Sequence, residues 1–273
     1  GEYFFLSQKI EGQHLQHFAK GTSSAKAFAV SFYVKGNAAA TYALELYDAD
    51  NNRQCSKSFS VTTSWNRVEL VFPADTTGAI NNDNGAGFRF EWWLGAGSSY
   101  SSGAVPTSWE ARADGDRGVS TLAINDNTNN DWAITGIQVE VGEYTSATLP
   151  DFQHEDFGDN LERCERYYQC INRAKYGSNT ALVGIGSAGN QMFMMRLPVA
   201  MRTGATISVT GTGCTLYATN SGSYSAANNP TLSAGTFGTN GGRLLYARIG
   251  DVGGTAWLDI ENDSTFINFS AEL

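Results

Sequence analysis

The chain has 273 residues, a net charge of −9, 30 glycines, 12% aromatic residues and 16% charged residues. This length is sufficient for two domains of ordinary size, and the composition is typical of β-sheet proteins with many tight turns. The negative charge argues against a nucleic-acid partner, because neutralising phosphates requires clustered Lys and Arg.

Strand patterns dominate the first half of the chain. Apolar residues alternate with polar or mixed ones in residues 28–34, 42–47, 67–72, 87–94 and 134–141. Asn, Asp and Gly clusters at 48–52, 81–85 and 125–131 favour turns between them, because these side chains bond their own backbone. Residues 1–149 are therefore predicted to form a jelly-roll β-sandwich.

A linker and an α-helix are predicted over residues 150–175. Asp156 stands where an N-cap is expected, and apolar residues then recur at steps of four and three residues. These seam residues, the candidate oligomer contacts, are Phe157, Leu161, Cys164, Tyr168 and Ile171. The seam either packs on its own chain or meets two symmetry mates in a short three-helix bundle. Because it spans only about two heptads, the β domains would have to contribute to any trimer.

Strand patterns return in the last hundred residues, at 191–197, 206–210, 242–249, 256–260 and 265–269. Residues 218–240, rich in Ser, Gly, Asn and Thr, are predicted to be long surface loops. Together these features predict a second β-sandwich-like domain over 176–273. No Asp or Glu occurs from Arg166 to Gly250, a stretch that contains seven Lys and Arg. These cations either attract anionic sugars or phosphates, or are scattered and solvated.

Several segments resemble a known family. YFFLSQKIEGQHLQH at 3–17, SFYVKG at 31–36, WWLGAG at 92–97 and NDWAITGIQVEVG at 130–142 look like the carbohydrate-binding-module-like domain of bacteriophage tail fibres and related virion proteins. FQHEDFGDNLERCERYY at 152–168 is similar to the segment that commonly follows that domain. LPVAMR at 197–202 and FSAEL at 269–273 look like phage fibre tips.

This resemblance implies a structural virion protein that is often trimeric and contacts the host surface. It also implies localisation in the virion, which assembles in the host cytoplasm. Family members carry more chain before the position that matches Tyr3, so other virion proteins are expected at the N-terminal side.

Exposed aromatic rings are the natural candidates for glycan binding, because a flat ring stacks on the apolar face of a pyranose. The candidates are Trp92, Trp93, Tyr100 and Trp109. Adjacent Trp92 and Trp93 point to opposite faces of a regular strand, so one is expected in the core and the other at the surface. Trp65 and Trp132 are expected in the core. The alternative is that the whole set fills the sandwich core.

The sequence has no strong metal or cofactor motif. Asp48, Asp50 and Asn52 have the spacing that begins a calcium loop, but the distal Glu and the glycine of that loop are missing, which favours a hairpin turn. No cofactor is therefore expected, with calcium retained as a weak alternative. The four cysteines show no metal-ligand spacing and are expected to be buried free thiols.

The leading hypothesis is a non-enzymatic tail fibre component that adheres to host glycans as a homotrimer. One alternative is a capsid decoration or other virion surface protein without a receptor; another is a secreted glycan-binding module or depolymerase component. Long repeated β-helix strands are missing, which lowers the depolymerase alternative. No apolar run reaches the roughly 18 residues of a membrane span.

Overall fold

The computed structural model describes residues 2–119, 123–145, 147–172, 180–187, 190–193, 197–220, 223–228, 233–234, 245–247 and 254–272. The chain divides into two compact units, with the boundary between His154 and Glu155. The mostly β fold class is confirmed. Each unit is described by itself.

The N-terminal unit is a β-sandwich of two antiparallel sheets. Its strands are β1 (Tyr3–Glu11), β2 (Phe28–Gly36), β3 (Ala40–Asp48), β4 (Arg53–Val61), β5 (Asn66–Phe72), β6 (Ala86–Ala96), β7 (Glu110–Ala111) and β8 (Trp132–Val141). The order is β1-β6-β3-β4-β7 in the five-stranded sheet and β5-β2-β8 in the three-stranded sheet. The chain crosses repeatedly between the sheets, as expected for a jelly-roll type of sandwich.

Alternation along the strands builds the core between these sheets. Alternate residues of β6, namely Phe88, Phe90 and Trp92, point into it and are at most 3% exposed. Residues of the facing sheet, such as Phe28 and Phe32, complete the same buried cluster. The intervening residues of β6 point to the outer face of the five-stranded sheet. A short helix, α1 (Ser98–Ser101), follows β6.

The predicted linker begins as part of the sandwich. Leu149 is 8% exposed, and Arg67 of β5 donates to the carbonyl of Pro150 at 2.5 Å. Gln138 of β8 accepts from the backbone N–H of Gln153 at 2.8 Å. These contacts tie residues 149–153 to β5 and β8.

The C-terminal unit also contains two antiparallel sheets. It begins with α2 (Phe157–Glu165), and its strands are β9 (Tyr168–Asn172), β10 (Thr180–Ser187), β11 (Asn190–Phe193), β12 (Thr206–Thr210), β13 (Cys214–Asn220), β14 (Ser223–Asn228), β15 (Ser233–Ala234), β16 (Leu245–Ala247), β17 (Gly254–Ile260) and β18 (Phe266–Ser270). The order is β14-β13-β17-β10-β11-β16-β15 in one sheet and β12-β18-β9 in the other. Leu216 and Leu258 of the first sheet share a buried cluster with Ile267 and Phe269 of the second.

Two sequence predictions were wrong in this unit. The seam does not continue along one helix, because α2 ends at Glu165, and Tyr168 and Ile171 lie on β9, paired with β18. Residues 218–240 are not simply loops, because β13 extends to Asn220 and forms a hairpin with β14. The predicted N-cap is confirmed: Asp156 accepts from the backbone N–H of Gly158 at 2.8 Å. Residues 194–196 of one predicted strand, and 242–244 and 248–249 of another, lie outside the described residues.

Candidate functional site

The four aromatic residues predicted to bind glycans separate into two pairs. Trp92 lies between the sheets, 1% exposed, and meets Phe32 edge to face at a centroid distance of 5.9 Å. Trp109 stacks on Phe88 at 5.7 Å and donates from Nε1 to the carbonyl of Pro73 at 2.8 Å. These two rings pack in or against the sandwich core.

Trp93 and Tyr100 instead meet on the outer face of the five-stranded sheet. Phe5 is the register partner of Trp93 and lies 5.0 Å from it, centroid to centroid. Tyr3 stacks on Phe5 at 5.5 Å and meets Tyr100 edge to face at 5.1 Å, and Tyr100 lies 5.4 Å from Trp93. We call Tyr3, Phe5, Trp93 and Tyr100 the aromatic cluster.

Exposure differs sharply within the aromatic cluster. Trp93 is 1% exposed, whereas Tyr3 is 53% exposed. Phe5 and Tyr100 are partly exposed. Trp92 and Trp93 do point to opposite faces, but the expectation that one would be exposed was wrong, because Tyr3, Phe5 and the segment after β6 cover Trp93. A ligand would therefore meet Tyr3 first, with Trp93 as the support beneath.

A buried ion-pair network lies beside the aromatic cluster. Glu45 of β3 and Glu91 of β6 are register partners, so both carboxylates point to the outer face. Arg117 donates from Nε to Oε2 of Glu45 at 2.9 Å and from a terminal nitrogen to Oε2 of Glu91 at 2.6 Å. Trp93 donates from Nε1 to Glu45 at 2.7 Å, and the Arg117 guanidinium lies 4.6 Å from its ring centroid. The network holds Trp93 in one orientation.

Burial has the largest effect on the pKa of Glu45 in this network. Glu45 is 0% exposed, and burial raises its pKa to about 7. The positive charge of Arg117 opposes this shift, and the neighbouring Glu91 adds to it. Desolvation therefore outweighs the ion pair at this carboxyl.

Residues 97–118, which we call the cover, close over much of the outer face. Ser56 donates its backbone N–H to the carbonyl of Pro106 at 2.7 Å, and Gln54 donates from Nε2 to Glu110 at 3.0 Å. Gly118 packs so tightly that a Cβ there would lie 2.7 Å from the Cβ of Ala96. Beneath the cover, Oε1 of Gln54 and Oγ of Ser56 are buried without a hydrogen-bond partner.

The weak calcium candidates lie at the turn between β3 and β4. Asp48 accepts from the backbone N–H of Asp50 at 3.1 Å and from Nζ of Lys20 at 2.5 Å. Asp50 instead binds Asn81, at 2.9 Å, and Asn52 adopts φ +52°. These contacts fit a hairpin turn and an ion pair. Within the described residues, no group of three or more His, Cys, Asp and Glu is placed to hold a metal ion.

The oligomer-contact candidates divide between helix and strand. On α2, Phe157 is 80% exposed and Leu161 44% exposed, and Cys164 is also exposed. Tyr168 is 46% exposed and donates to Oδ1 of Asn268 at 2.6 Å. Ile171 is 5% exposed and belongs to the core. The exposed seam residues therefore include the three on α2 and Tyr168 on β9, whereas Ile171 is buried.

Besides Tyr3 and Phe5, sequence reasoning missed the exposed Trp65 and a partly exposed aromatic pair on the seven-stranded sheet. Trp65, expected in the core, is 48% exposed in the turn between β4 and β5, with Nζ of Lys35 5.3 Å from its ring centroid. On the seven-stranded sheet, Tyr217 and Trp257 stack across neighbouring strands at 5.2 Å, beside Val183, which is 65% exposed. The aromatic pair was detectable, because alternation with the core residues on β17 places Trp257 on the outer face.

None of the helices in the described part of the chain is long and apolar enough to cross a membrane.

Comparisons with known proteins add little to this geometry. No protein-family model matches the sequence, and no curated protein matches it. The N-terminal CBM22-1-CBM22-2 tandem domain of Paenibacillus barcinonensis Xyn10C is 10% identical, with a TM-score of 0.23, over 90% of this chain and 77% of that chain. A mutant of Bacillus subtilis oxalate decarboxylase OxdC is 10% identical, with a TM-score of 0.13, over 100% of this chain and 74% of that chain. TM-scores this low do not support a functional conclusion, so the candidate site is identified only from the geometry described above.

Proposed function

We propose that the protein binds glycans through the aromatic cluster of its N-terminal unit. The observation that carries this proposal is that Tyr3, 53% exposed, rests on rings that are themselves held in place. Trp93 is fixed from below by its hydrogen bond to Glu45 and by Arg117. A preorganised ring loses little conformational entropy when a sugar stacks on it.

Aromatic truncation tests this proposal. Tyr3→Ala and Tyr100→Ala are each expected to weaken glycan binding about tenfold, because burial of an aromatic side chain contributes about 1.5–3 kcal/mol. The measurement is affinity electrophoresis or a glycan array on the purified chain. Trp65→Ala is the matched control, since Trp65 is about as exposed but lies in a different turn. Loss of binding in Trp65→Ala, with Tyr3→Ala unaffected, would place the site elsewhere.

We further propose that the protein works at the surface of a bacteriophage virion, as a tail fibre component. The support is the sequence resemblance over about the first 170 residues and the two β units joined near α2. Immunogold labelling of purified particles distinguishes the alternatives. Label at the tail supports the fibre, and label over the head favours a capsid decoration protein. Particles without label favour a secreted glycan-binding module.

A homotrimer is the proposed assembly, with α2 as one of its contacts. Phe157, Leu161 and Cys164 follow one another along the helix at steps of four and three residues and are all exposed within the chain. Exposed apolar side chains in such a row favour contact with another surface. Three copies would strengthen weak glycan binding through avidity.

Light scattering at micromolar concentration tests the trimer. The wild-type chain is expected at three times the monomer mass, and Leu161→Glu at a lower mass with an unchanged circular dichroism spectrum. Glu162→Ala, an exposed substitution on the same helix, is the control and retains the trimer. A wild-type monomer would disprove the assembly without affecting the glycan proposal.

We propose that the protein is not an enzyme. Glu45 and Glu91, which are register partners on the outer face, are both bound to Arg117 and buried, which leaves neither accessible to a glycosidic bond. Release of reducing ends from host polysaccharide by the purified chain would overturn this proposal and favour the depolymerase alternative.

A further inference from the structure

A second group of side chains lies on the same outer face as the aromatic cluster. Lys9 of β1, Arg89 of β6 and Tyr47 of β3 are successive register partners across three strands. Directly opposed residues point to the same side of a sheet, so all three lie on the outer face. Each is partly exposed.

Arg112 of the cover completes this group. Its backbone N–H donates to the carbonyl of Asn52 at 3.0 Å, and its guanidinium carbon lies 5.1 Å from the ring centroid of Tyr47. The guanidinium carbon of Arg89 lies 5.4 Å from the same centroid. Tyr47 donates its hydroxyl to Oδ1 of Asn52 at 3.1 Å, which fixes the ring between strand and turn. We call Tyr47, Arg89 and Arg112 the arginine–tyrosine cluster.

The charges of this cluster are poorly compensated. Among the described residues Arg89 has no carboxylate within 4.0 Å, whereas Arg112 pairs with Asp114, which is 63% exposed, at 2.9 Å. Nε of Arg89 and Nε of Arg112 are both buried without a hydrogen-bond partner. Arg117, by contrast, has two buried carboxylate partners. Two guanidinium groups beside one ring, one of them without a carboxylate partner in the described part of the chain, favour an incoming anion.

We infer that the arginine–tyrosine cluster is an anion subsite that binds the carboxylate or phosphate group of an acidic glycan. This inference rests on the proposed glycan-binding function and adds the class of glycan. Guanidinium groups bind carboxylate and phosphate in a bidentate manner, and the Tyr47 ring holds two of them close together. Arg89 lies four residues before Trp93 on β6, about 13 Å along the strand, so one glycan chain can reach both clusters.

The net charge of the protein would not by itself attract an acidic glycan. The chain carries a net charge of −9, so the protein as a whole repels polyanions. Binding of an acidic polymer therefore requires a local site. The acidic residues between the two clusters, Glu45 and Glu91, are buried and bound to Arg117, which limits their repulsion of a ligand at the surface.

The test compares three polymers by isothermal titration calorimetry on the full chain. They are polygalacturonate, the same polymer with its carboxyl groups reduced, and poly(glycerol phosphate). Wild-type protein is expected to bind at least one of the two acidic polymers at least tenfold more tightly than the reduced polymer, with affinity falling as salt rises. The acidic polymer that binds more tightly identifies the carboxylate or the phosphate as the preferred group.

Substitutions test whether the preference for acidic polymers comes from the arginine–tyrosine cluster. Arg89→Gln is expected to reduce the preference to within twofold, and Arg89→Lys to retain part of it, because Lys keeps the charge without the planar fork. Lys35→Gln is the matched control, since it also removes a cation from an aromatic ring of the N-terminal unit. Circular dichroism and unfolding curves check that each variant is folded.

The outcomes separate this inference from the proposed function. Equal binding of acidic and reduced polymers overturns the anion subsite and leaves glycan binding in place. An equal loss in Arg89→Gln and Lys35→Gln also overturns the subsite, because the effect is then general. Failure of the wild-type chain to bind any of these polymers or any glycan on an array overturns both.

Discussion

Arg117 and Glu45 form a buried ion pair between the cover and the five-stranded sheet, with Nε of Arg117 2.9 Å from Oε2 of Glu45 and both side chains at most 8% exposed. The pair joins residues 72 positions apart in the chain. It thereby attaches the cover to β3 and positions Trp93 for the aromatic cluster.

Arg117→Met is expected to destabilise the protein by about 3–5 kcal/mol, because it leaves two buried carboxylates without their cation. The measurement is the free energy of unfolding from urea titration. Adding Glu45→Gln to Arg117→Met is expected to recover part of the loss. Arg163→Gln removes an exposed ion pair with Glu155 and serves as the control, with no measurable change expected. A loss in Arg117→Met no larger than in the control would contradict the structural role of this network.

Stability is expected to fall as pH rises from about 4.5 to about 7. Burial raises the pKa of Glu45 from its ordinary 4.5 to about 7, so in this window the folded state binds more protons than the unfolded state. Asp75 does not contribute there, because its pKa is lowered from 3.8. The check is the unfolding free energy at several pH values, with Glu45→Gln flattening the slope. An equal slope in wild type and Glu45→Gln would assign the effect to other groups.

Lys20→Met is expected to destabilise the N-terminal unit by about 3–5 kcal/mol. Nζ of Lys20 lies 2.5 Å from Asp48 and 3.0 Å from Asp75, and it donates to the carbonyls of Thr77 and Gly78 at 2.9 Å. Without the ammonium group, Asp48 becomes a buried carboxylate that lacks this cation. Thermal unfolding followed by circular dichroism measures the change.

Lys26→Met, at an exposed lysine nearby, is the control for Lys20→Met and is expected to unfold as wild type does. The melting temperature of the wild type is expected to be unchanged by EDTA. The ammonium group of Lys20 already occupies the space between the carboxylates and carbonyls that a calcium ion would need. A lower melting temperature of the wild type in EDTA would instead favour a bound calcium ion near these carboxylates.

Thiol labelling is expected to distinguish Cys164 from Cys55 and Cys214. Cys164 is exposed and should react with maleimide in the native protein. Burial raises the pKa of Cys55 to about 12 and that of Cys214 to about 11, so both should react only after unfolding. Mass spectrometry of partially labelled protein identifies the sites. If α2 is a trimer contact, Cys164 should react faster in Leu161→Glu than in wild type.

Only part of the aromatic cluster was predictable from the sequence. The sequence placed Trp93 and Tyr100 among the glycan-binding candidates, and alternation predicted that Trp92 and Trp93 point to opposite faces. It did not identify Tyr3 and Phe5, although a period of two relates them along β1. It also could not show that Trp93 would be buried, because Tyr3 and Phe5 of β1 are distant from β6 in the chain and the cover has to fold back over the sheet.

The predicted helix through Ile171 also shows that local sequence patterns do not determine tertiary pairing. Steps of four and three residues fit a helix through Ile171, yet the stretch from Tyr168 to Asn172 pairs with β18 and alternates between buried and more exposed positions. Local periodicity over so few residues fits both structures. The pairing partner, which lies almost a hundred residues away, decides between them.

The sequence by itself determined the β class, the turn at Asp48 to Asn52 and the N-cap at Asp156, because these depend on alternation and on side chains that bond their own backbone. Tertiary structure decided which rings are accessible and which charges are paired. Exposure of Tyr3, burial of Trp93 and the lack of a carboxylate partner for Arg89 among the described residues all depend on strands that are distant in the chain. Burial and charge pairing are properties of that assembled surface, so residue order alone does not specify them.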